Sequence, residues 1–359
     1  MDGSLSLILA FLLPLLAQAD AVNSEWISTT RSLTMGNVGI ASAGDPTTAM
    51  FYNPAALARQ KKTTAELFNP QFDVGTGIFT MGGSSNISKH STLTKVRPLL
   101  SQNPGTASSL GVSLYPNISA QNFNFGILMK AEGASVDDGT NLTYKARNLL
   151  VPTLGISMGL FSGRIRWGLA VRAVQISEND EVVNTSTTAA TGYTMDMEEG
   201  FGIGLDSGLL ITMPWAALPT LGFVARNVGD TSFPSEANFS IASGTSNRKD
   251  KIKMTYDGGF SIAPKVGQRS TFTFAADYRD ILNANGVNDK RRLNLGIEFD
   301  FSKTFFLRFG YGRGYWTAGV GLGSRFGSLD LGTYSEELDR TSFNGTEDRR
   351  ISLRYGSKF

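Results

Sequence analysis

A chain of 359 residues whose charges nearly cancel, at a formal +2, gives no electrostatic argument for nucleic acid, and no block of like charges reads as a basic tail. Hydrophobic residues make up 41%, yet no apolar run beyond the N-terminus approaches the roughly 20 residues a transmembrane helix needs, which excludes a helical membrane protein. The sequence holds no cysteine, which excludes disulfides, thiol nucleophiles and thiolate metal sites.

Residues 5–16 form an apolar core of signal-peptide length. Ala17-Gln18-Ala19 and Ala19-Asp20-Ala21 follow as two small-residue cleavage sites, although no Lys or Arg precedes the core. Residues 1–21 therefore read as a leader that is removed. From Val22 to Arg59 the pattern is not strand-like. Small residues and turn formers dominate (Gly36, Gly39, Gly44, Asp45-Pro46), and a short helical stretch is predicted within 46–57.

From about Thr63 the chain reads as strands with two distinct faces. Phe123, Phe125, Ile127 and Met129 oppose Asn122, Asn124 and Lys130. Ile165, Trp167, Leu169 and Val171 oppose Arg164, Arg166 and Arg172, and Ile203, Leu205, Leu209 and Ile211 turn away from Asp206 and its neighbouring glycines. Ile252, Met254 and Tyr256 oppose Lys253 and Asp257; Phe272, Phe274 and Tyr278 oppose Asp277 and Arg279. Leu293, Leu295, Ile297 and Phe299 oppose Arg292, Asn294, Glu298 and Asp300, while Phe305, Leu307, Phe309 and Tyr311 oppose Arg308. The last strand puts Ile351, Leu353, Tyr355 and the terminal Phe359 against Arg350, Ser352, Arg354 and Lys358. A wall that is apolar on one side and polar on the other is what a transmembrane β-barrel needs. A soluble β-sandwich also alternates, but it would bury these charged faces at high cost.

The connections carry a second signal. With residues 63–81 taken as one long first strand, long links at 82–106, 133–140, 180–198 and 229–250 alternate with shorter ones. The short links fall near Pro116-Asn117, Ser162-Gly163, 214–219, Gly267 and Ser302, and a moderate loop lies at 283–290. Long outer loops and short periplasmic turns are the outer-membrane pattern, and the count comes to about fourteen antiparallel up-and-down strands. Trp167, Trp316, Tyr311 and Tyr355 suit an aromatic girdle.

The segment RSLTMGNVGIASAGDPTTAMFYNPAALA, residues 31–58, has an arginine and glycines, a Gly-Asp pair, an aromatic pair and then Asn53-Pro54-Ala55-Ala56-Leu57. It resembles the N-terminal hatch of the FadL family, outer-membrane proteins that take up long-chain fatty acids and other hydrophobic compounds. The run LGIEFDFSKTFFLRFGYGRGYWTAGVGLG, residues 295–323, is similar to the PorV-like branch of that superfamily, whose members are outer-membrane partners of a protein secretion system. The resemblance implies a fourteen-stranded barrel over 63–359 with residues 22–62 folded into its lumen as a hatch, in a Gram-negative outer membrane. It marks Gly44, Asp45, Phe51, Asn53, Pro54 and Ala55 as hatch residues, with Pro54 at a helix start where its missing N–H costs nothing.

Two functions follow as expectations. One is passive uptake of hydrophobic or amphipathic small molecules, gated by the hatch. The other is a non-transporting barrel that docks envelope or secreted proteins. Outer-membrane lipids are expected partners of the wall, and the barrel-assembly machinery of the strand ending in Phe359. Arg164, Arg166, Arg172, Lys253, Arg292, Glu298, Arg308 and Arg354 are candidate lumen-lining residues, read either as a network tying wall to hatch or as a path for an anionic ligand. Asp330 and Arg350 belong to the same inward set. His90 is the lone histidine and falls in an outer loop, so neither a histidine triad nor a metal site is expected, nor is an enzyme or a cofactor. The glycine runs at 200–204 and 319–323 sit within strands without a following helix, so they read as wall glycines and not phosphate loops. In the first long loop, Leu93, Val96 and Leu99 share one helical face, interrupted by Pro98, as a lip for ligand or partner.

Overall fold

The structure, a computed structural model, describes residues 26–42, 47–82, 93–184, 197–234, 246–248, 250–338 and 343–359. The leader, Gly44, Asp45 and His90 lie outside the described residues.

Fourteen strands form the wall: β1 (Thr64–Glu66 and Gln71–Gly75), β2 (Ser108–Leu114 and Asn117–Ala120), β3 (Phe123–Asp137), β4 (Asn141–Leu160), β5 (Ile165–Asn184), β6 (Glu198–Thr212) and β7 (Thr220–Arg226), followed by β8 (Thr255–Ile262), β9 (Ser270–Tyr278), β10 (Leu293–Phe301), β11 (Phe305–Gly312), β12 (Tyr315–Gly323), β13 (Gly327–Glu337) and β14 (Glu347–Ser357). Each pairs antiparallel with its successor, and β14 returns to β1 in the register Arg350↔Gly75 to Arg354↔Gln71. Closure leaves no free sheet edge, the condition for a sheet in lipid. The C-terminal Phe359 exchanges backbone hydrogen bonds with Ala65, so both ends of the wall meet on the short-turn, periplasmic side.

The alternation of the sequence sets the faces. Phe125, Ile156, Ile203, Phe223, Phe309 and Leu353 are exposed on the outside, while Asn124, Asp206, Val224, Arg308 and Arg354 are buried inside. At the periplasmic rim, Phe301 and Phe305 pack at 5.9 Å and Phe68 and Tyr355 at 6.4 Å between ring centroids. Tyr311 and Trp316 pair edge-on at 5.3 Å beside the tight outer turn at 313–314. These aromatics are placed where an interfacial belt is favourable.

Several boundaries differ from the sequence reading. The first strand does not run to Met81: it stops at Gly75 and continues as a helix, Thr76–Thr80. It is also broken at 67–70, where Pro70 has no N–H for the ladder. The Asn69 side chain stands in for the missing backbone, accepting from Tyr115 N at 2.7 Å and donating to Tyr115 O at 2.6 Å. Pro116-Asn117 is the matching break inside β2 and not a link between strands; the turn follows at 121–122. Residues 133–137 belong to β3, so the long link expected there is a three-residue turn at 138–140. Asp138 closes it by accepting from Thr140 N and Asn141 N, and these amides hold its carboxyl below the usual carboxylate range. The first outer loop carries a helix, Leu93–Gln102, with Pro98 inside it. Its Val96 and Leu100 are buried against Met81, Leu142 and Tyr144, so that apolar face is occupied by the barrel itself.

Candidate functional site: the lumen and its hatch

Residues 26–60 are buried almost throughout and make no strand pairing with the wall among the described residues. They build two small lobes. The first is helix α1 (Thr30–Thr34), capped by Thr29, whose hydroxyl accepts from Ser32 N. The second is helix α2 (Ala49–Tyr52) running into a 3-10 helix, Pro54–Arg59. Asn53 caps that turn: its Oδ1 accepts from Ala55 N at 3.0 Å, and Pro54 takes the first position, where an N–H would be orphaned. The Nδ2 of the same side chain donates to Ile40 O at 3.0 Å and to Leu209 O of β6 at 3.2 Å. One asparagine thus caps a helix, joins the two lobes and anchors them to the wall. Ala55 is fully buried beside it, and Phe51 packs edge-on against Tyr115 of the wall at 5.0 Å.

The wall glycines are the seats of these lobes. A Cβ at Gly310 would stand 2.2 Å from Gly36 N, and one at Gly296 would stand 2.3 Å from Met35 O. At Gly168 it would meet Pro54 C at 2.4 Å and at Gly208 Asn53 Oδ1 at 2.1 Å. Alanine is excluded at Gly310, Gly296 and Gly168 because hatch backbone lies directly on wall backbone, and at Gly208 because the Asn53 side chain fills the space. These four wall glycines therefore make room for the hatch.

Charge fixes the remaining contacts. Arg31 meets Glu298 through Nε at 2.9 Å and Nη2 at 2.5 Å; Glu298 also accepts from Arg308 at 2.7 Å, and Arg308 reaches Asp330 at 2.6 Å. Asp277 accepts from Gly39 N at 2.7 Å and Ile40 N at 3.0 Å, while Arg279 donates to Asn37 O at 2.7 Å. Arg226, paired with Asp257, donates to Phe51 O at 2.6 Å and Tyr52 O at 3.0 Å. Thr30 and Ser352 share a hydrogen bond of 2.7 Å between hydroxyls. Buried charges are stable only when paired and hydrogen-bonded; most of these pairs lie within the wall, and from them Arg31–Glu298, Asp277, Arg279 and Arg226 reach across to the hatch.

The candidate lumen residues divide. Arg172 is buried and paired with Asp206, with its guanidinium 5.3 Å from the Trp26 ring. Glu298 and Arg308 form the chain just described, and Arg354 reaches Glu66 at 3.2 Å near the periplasmic rim. Arg166 lines an inner cavity. Arg292 is buried but sits in the outer link, in the helical turn Asp289–Arg292, donating to Asp280 O at 2.7 Å. Two assignments are corrected. Arg164 is exposed in the turn at 161–164, because β5 begins only at Ile165. Lys253 is exposed ahead of β8 and donates to Ala284 O at 2.8 Å; the backbone is not extended until Thr255, so the alternation has no hold on it. Asp300 is half-buried at a periplasmic turn, where it accepts from Lys303 N at 2.6 Å.

Sequence reasoning missed Arg226 and Arg147, and the phase of their strands held the signal. Carrying the inward set of Gly222 and Val224 two residues on reaches Arg226; carrying that of Thr153 and Val151 back reaches Arg147. Arg147 is fully buried, lies 5.9 Å from the Trp26 ring, and has no hydrogen-bond partner for Nε or Nη1 among the described residues.

No protein-family model and no curated protein matches the sequence. Among solved structures, "CymD monoaromatic hydrocarbon channel" is similar with a TM-score of 0.54 at 12% identity, over 92% of this chain and 97% of that one. The barrel has a FadL-like fold. A Pseudomonas putida toluene transporter, TodX, scores 0.46 at 11% identity over 96% of this chain and 97% of its own. A Pseudomonas aeruginosa FadL homologue scores 0.47 at 13% identity over 92% and 96%. With its closed wall, apolar exterior and aromatic rims, the FadL-like barrel is an outer-membrane protein.

Proposed function

We propose that this barrel gives hydrophobic or amphipathic small molecules passive passage across the outer membrane, with residues 26–60 as the movable hatch. The observation that carries the reading is the way the lumen is filled. A separate segment, held by side chains and close contact and without a ladder to the wall among the described residues, occupies it and leaves a cavity on its periplasmic flank. A plug built this way can shift while the wall stays closed. The similar fold of CymD, a monoaromatic hydrocarbon channel by name, supports the same reading. The wall's belt of exposed Phe, Ile and Leu fits outer-membrane lipid as its surroundings.

A Cβ at Gly155 of β4 would stand 3.4 Å from Met50 Cβ in the Asn53 lobe, which supplies the test. That spacing is close to the roughly 3.5–4.5 Å between Cβ atoms of a disulfide, and the native chain has no cysteine to interfere. The variant Met50→Cys/Gly155→Cys, oxidised, should block uptake of hydrophobic probes such as toluene or a long-chain fatty acid into cells or liposomes, and reduction should restore it. Deleting residues 30–58 should open an ion-conducting pore in planar bilayers. Undiminished uptake with the hatch locked would overturn transport through the lumen and favour a barrel that docks envelope or secreted proteins.

A further inference from the structure

The periplasmic turns of the wall all lie among the described residues, and none of them contains an Asp or Glu. Their cations are densest on one arc, built by the ends of β8 to β14. Lys265 and Arg269 lie in the turn between β8 and β9, and Lys303 in that between β10 and β11. Arg325 lies between β12 and β13, and Lys358 just after β14. Backbone contacts make these turns neighbours. Ser270 pairs with Phe301, Gly323 N donates to Thr304 O at 2.8 Å, and Lys358 N donates to Phe326 O at 2.7 Å. Lys265, Arg269, Lys303 and Arg325 are exposed, and none has a carboxylate within ion-pair distance among the described residues. Lys358 shares the buried Glu66 with Arg354, at 3.4 and 3.2 Å. Asp300, half-buried at the end of β10, accepts from the Lys303 amide. Exposed Lys61 and Lys62, in the link into β1, and Arg164 continue the same sign around the rim. The outer rim is different, for there exposed Asp138, Asp289 and Glu347 stand among Lys95, Lys253 and Lys290.

The cations of the arc have exposed apolar neighbours. Val266 follows Lys265, and Phe301 and Phe305 flank Lys303 with their rings 5.9 Å apart. The guanidinium of Arg325 lies 4.5 Å from the ring of Phe326, which is 66% exposed, and Phe359 beside Lys358 is 79% exposed. Like charges along one rim repel each other and add nothing to the fold. A layer that offers anionic oxygens to the cations and hydrocarbon to the aromatics satisfies both at once.

We infer that this arc is a docking surface for anionic phospholipids of the inner leaflet. Phosphate oxygens rest on Lys303 and Arg325, and the acyl chains run up the wall past Phe301, Phe305 and Phe326. The charge follows the circumference of the barrel where the bilayer surface meets it. That is the contour of a lipid annulus and not of one protein's footprint. The inference needs only the closed wall and its orientation, so it is independent of passage through the lumen.

The purified full-length barrel in a non-ionic detergent is incubated with equal amounts of phosphatidylglycerol and phosphatidylcholine of the same chains, and native mass spectrometry reads the bound lipid. At low ionic strength the anionic lipid should be retained about ten-fold over the zwitterionic one. Lys303→Gln/Arg325→Gln should lower that preference about five-fold, and adding Lys265→Gln/Arg269→Gln should abolish it. The charge-keeping pair Lys303→Arg/Arg325→Lys should retain it, as should Lys95→Gln/Lys290→Gln on the outer rim. Heat-modifiable migration checks that each variant is folded. Should the fourfold variant not fold, half-molar sodium chloride is expected to abolish the preference of the parent by screening. Equal retention of both lipids by the parent, or a preference that survives the fourfold variant or the salt, would overturn the inference. A poly-glutamate peptide that displaces phosphatidylglycerol and binds as tightly would overturn the lipid as occupant in favour of an acidic protein.

Discussion

The two lobes of the hatch are held by different physics. The α1 lobe sits on β10–β14, where Arg31 enters a buried chain of ion pairs with Glu298, Arg308 and Asp330, and Thr30 and Gly36 lie against Ser352 and Gly310. The lobe from Ala49 to Arg59 sits on β4–β7 through apolar packing of Met50, Phe51 and Leu57, one capping asparagine, and guanidinium groups of Arg226 and its own Arg59 that donate to neutral oxygens. Buried ion pairs are costly to break because each leaves an unpaired charge behind. Apolar contacts and hydrogen bonds to neutral oxygens give way in smaller steps. The contrast makes the α1 lobe the fixed end and the Asn53 lobe the end that moves.

The largest effect is expected at Glu298, the carboxylate shared by hatch and wall. Glu298→Ala removes the carboxylate that Arg31 and Arg308 share, leaving Arg308 to Asp330, and should cost about 3–5 kcal/mol, read as a lower urea midpoint for the detergent-solubilised barrel. It should also free the α1 lobe, giving flickering ion conductance in planar bilayers. A quiet, fully stable Glu298→Ala barrel would mean that the ion pairs do not fix this lobe.

Leu295 lies three residues from Glu298 on the same strand but faces outward, beside Tyr311 of β11. Leu295→Arg should cost about 2–4 kcal/mol if it meets the bilayer midplane, while leaving the hatch seated and the bilayer current silent. It therefore sharpens the comparison, since it weakens the wall at the same height without touching the fixed lobe. Conductance in Leu295→Arg would show that any loss of stability opens the lumen and that the ion pairs have no special part.

How much was legible follows the same division. The outer face could be read from the sequence because lipid imposes one simple demand on every second residue, from Phe123 to Tyr355. Strand ends were harder. Pro70 and Pro116 interrupt strands that pair on either side of them, and the Asn69 side chain that bridges the gap has no sequence signature. The inward set was legible as polarity but not as partnership. Nothing in the spacing tells that Glu298 meets Arg31, 267 residues away, or that Gly310 is small because Gly36 rests on it. Arg164 and Lys253 went wrong for one reason: each flanks a strand, and alternation extrapolated past the extended backbone carries no information.

The smallest of the expected effects tests the movable end. Asn53→Ala keeps Pro54 at the first helical position and removes the cap to Ala55 and the bonds to Ile40 O and Leu209 O. Loss of a cap costs about 0.5–2 kcal/mol, and Leu209 stays paired in the ladder between β5 and β7. The barrel should therefore fold with a urea midpoint only slightly lowered. Its hatch should nonetheless visit the open state more often, because the side chain removed is the one that ties both lobes to β6. A cysteine placed at Ala56, buried in the native hatch, reports this directly: thiol labelling should be slow in the parent and several-fold faster beside Asn53→Ala. Beside Glu298→Ala the same cysteine should stay slow, since that change releases the opposite lobe. Equal acceleration in both backgrounds would show that the hatch moves as one body, and the distinction between a fixed and a movable end would fall.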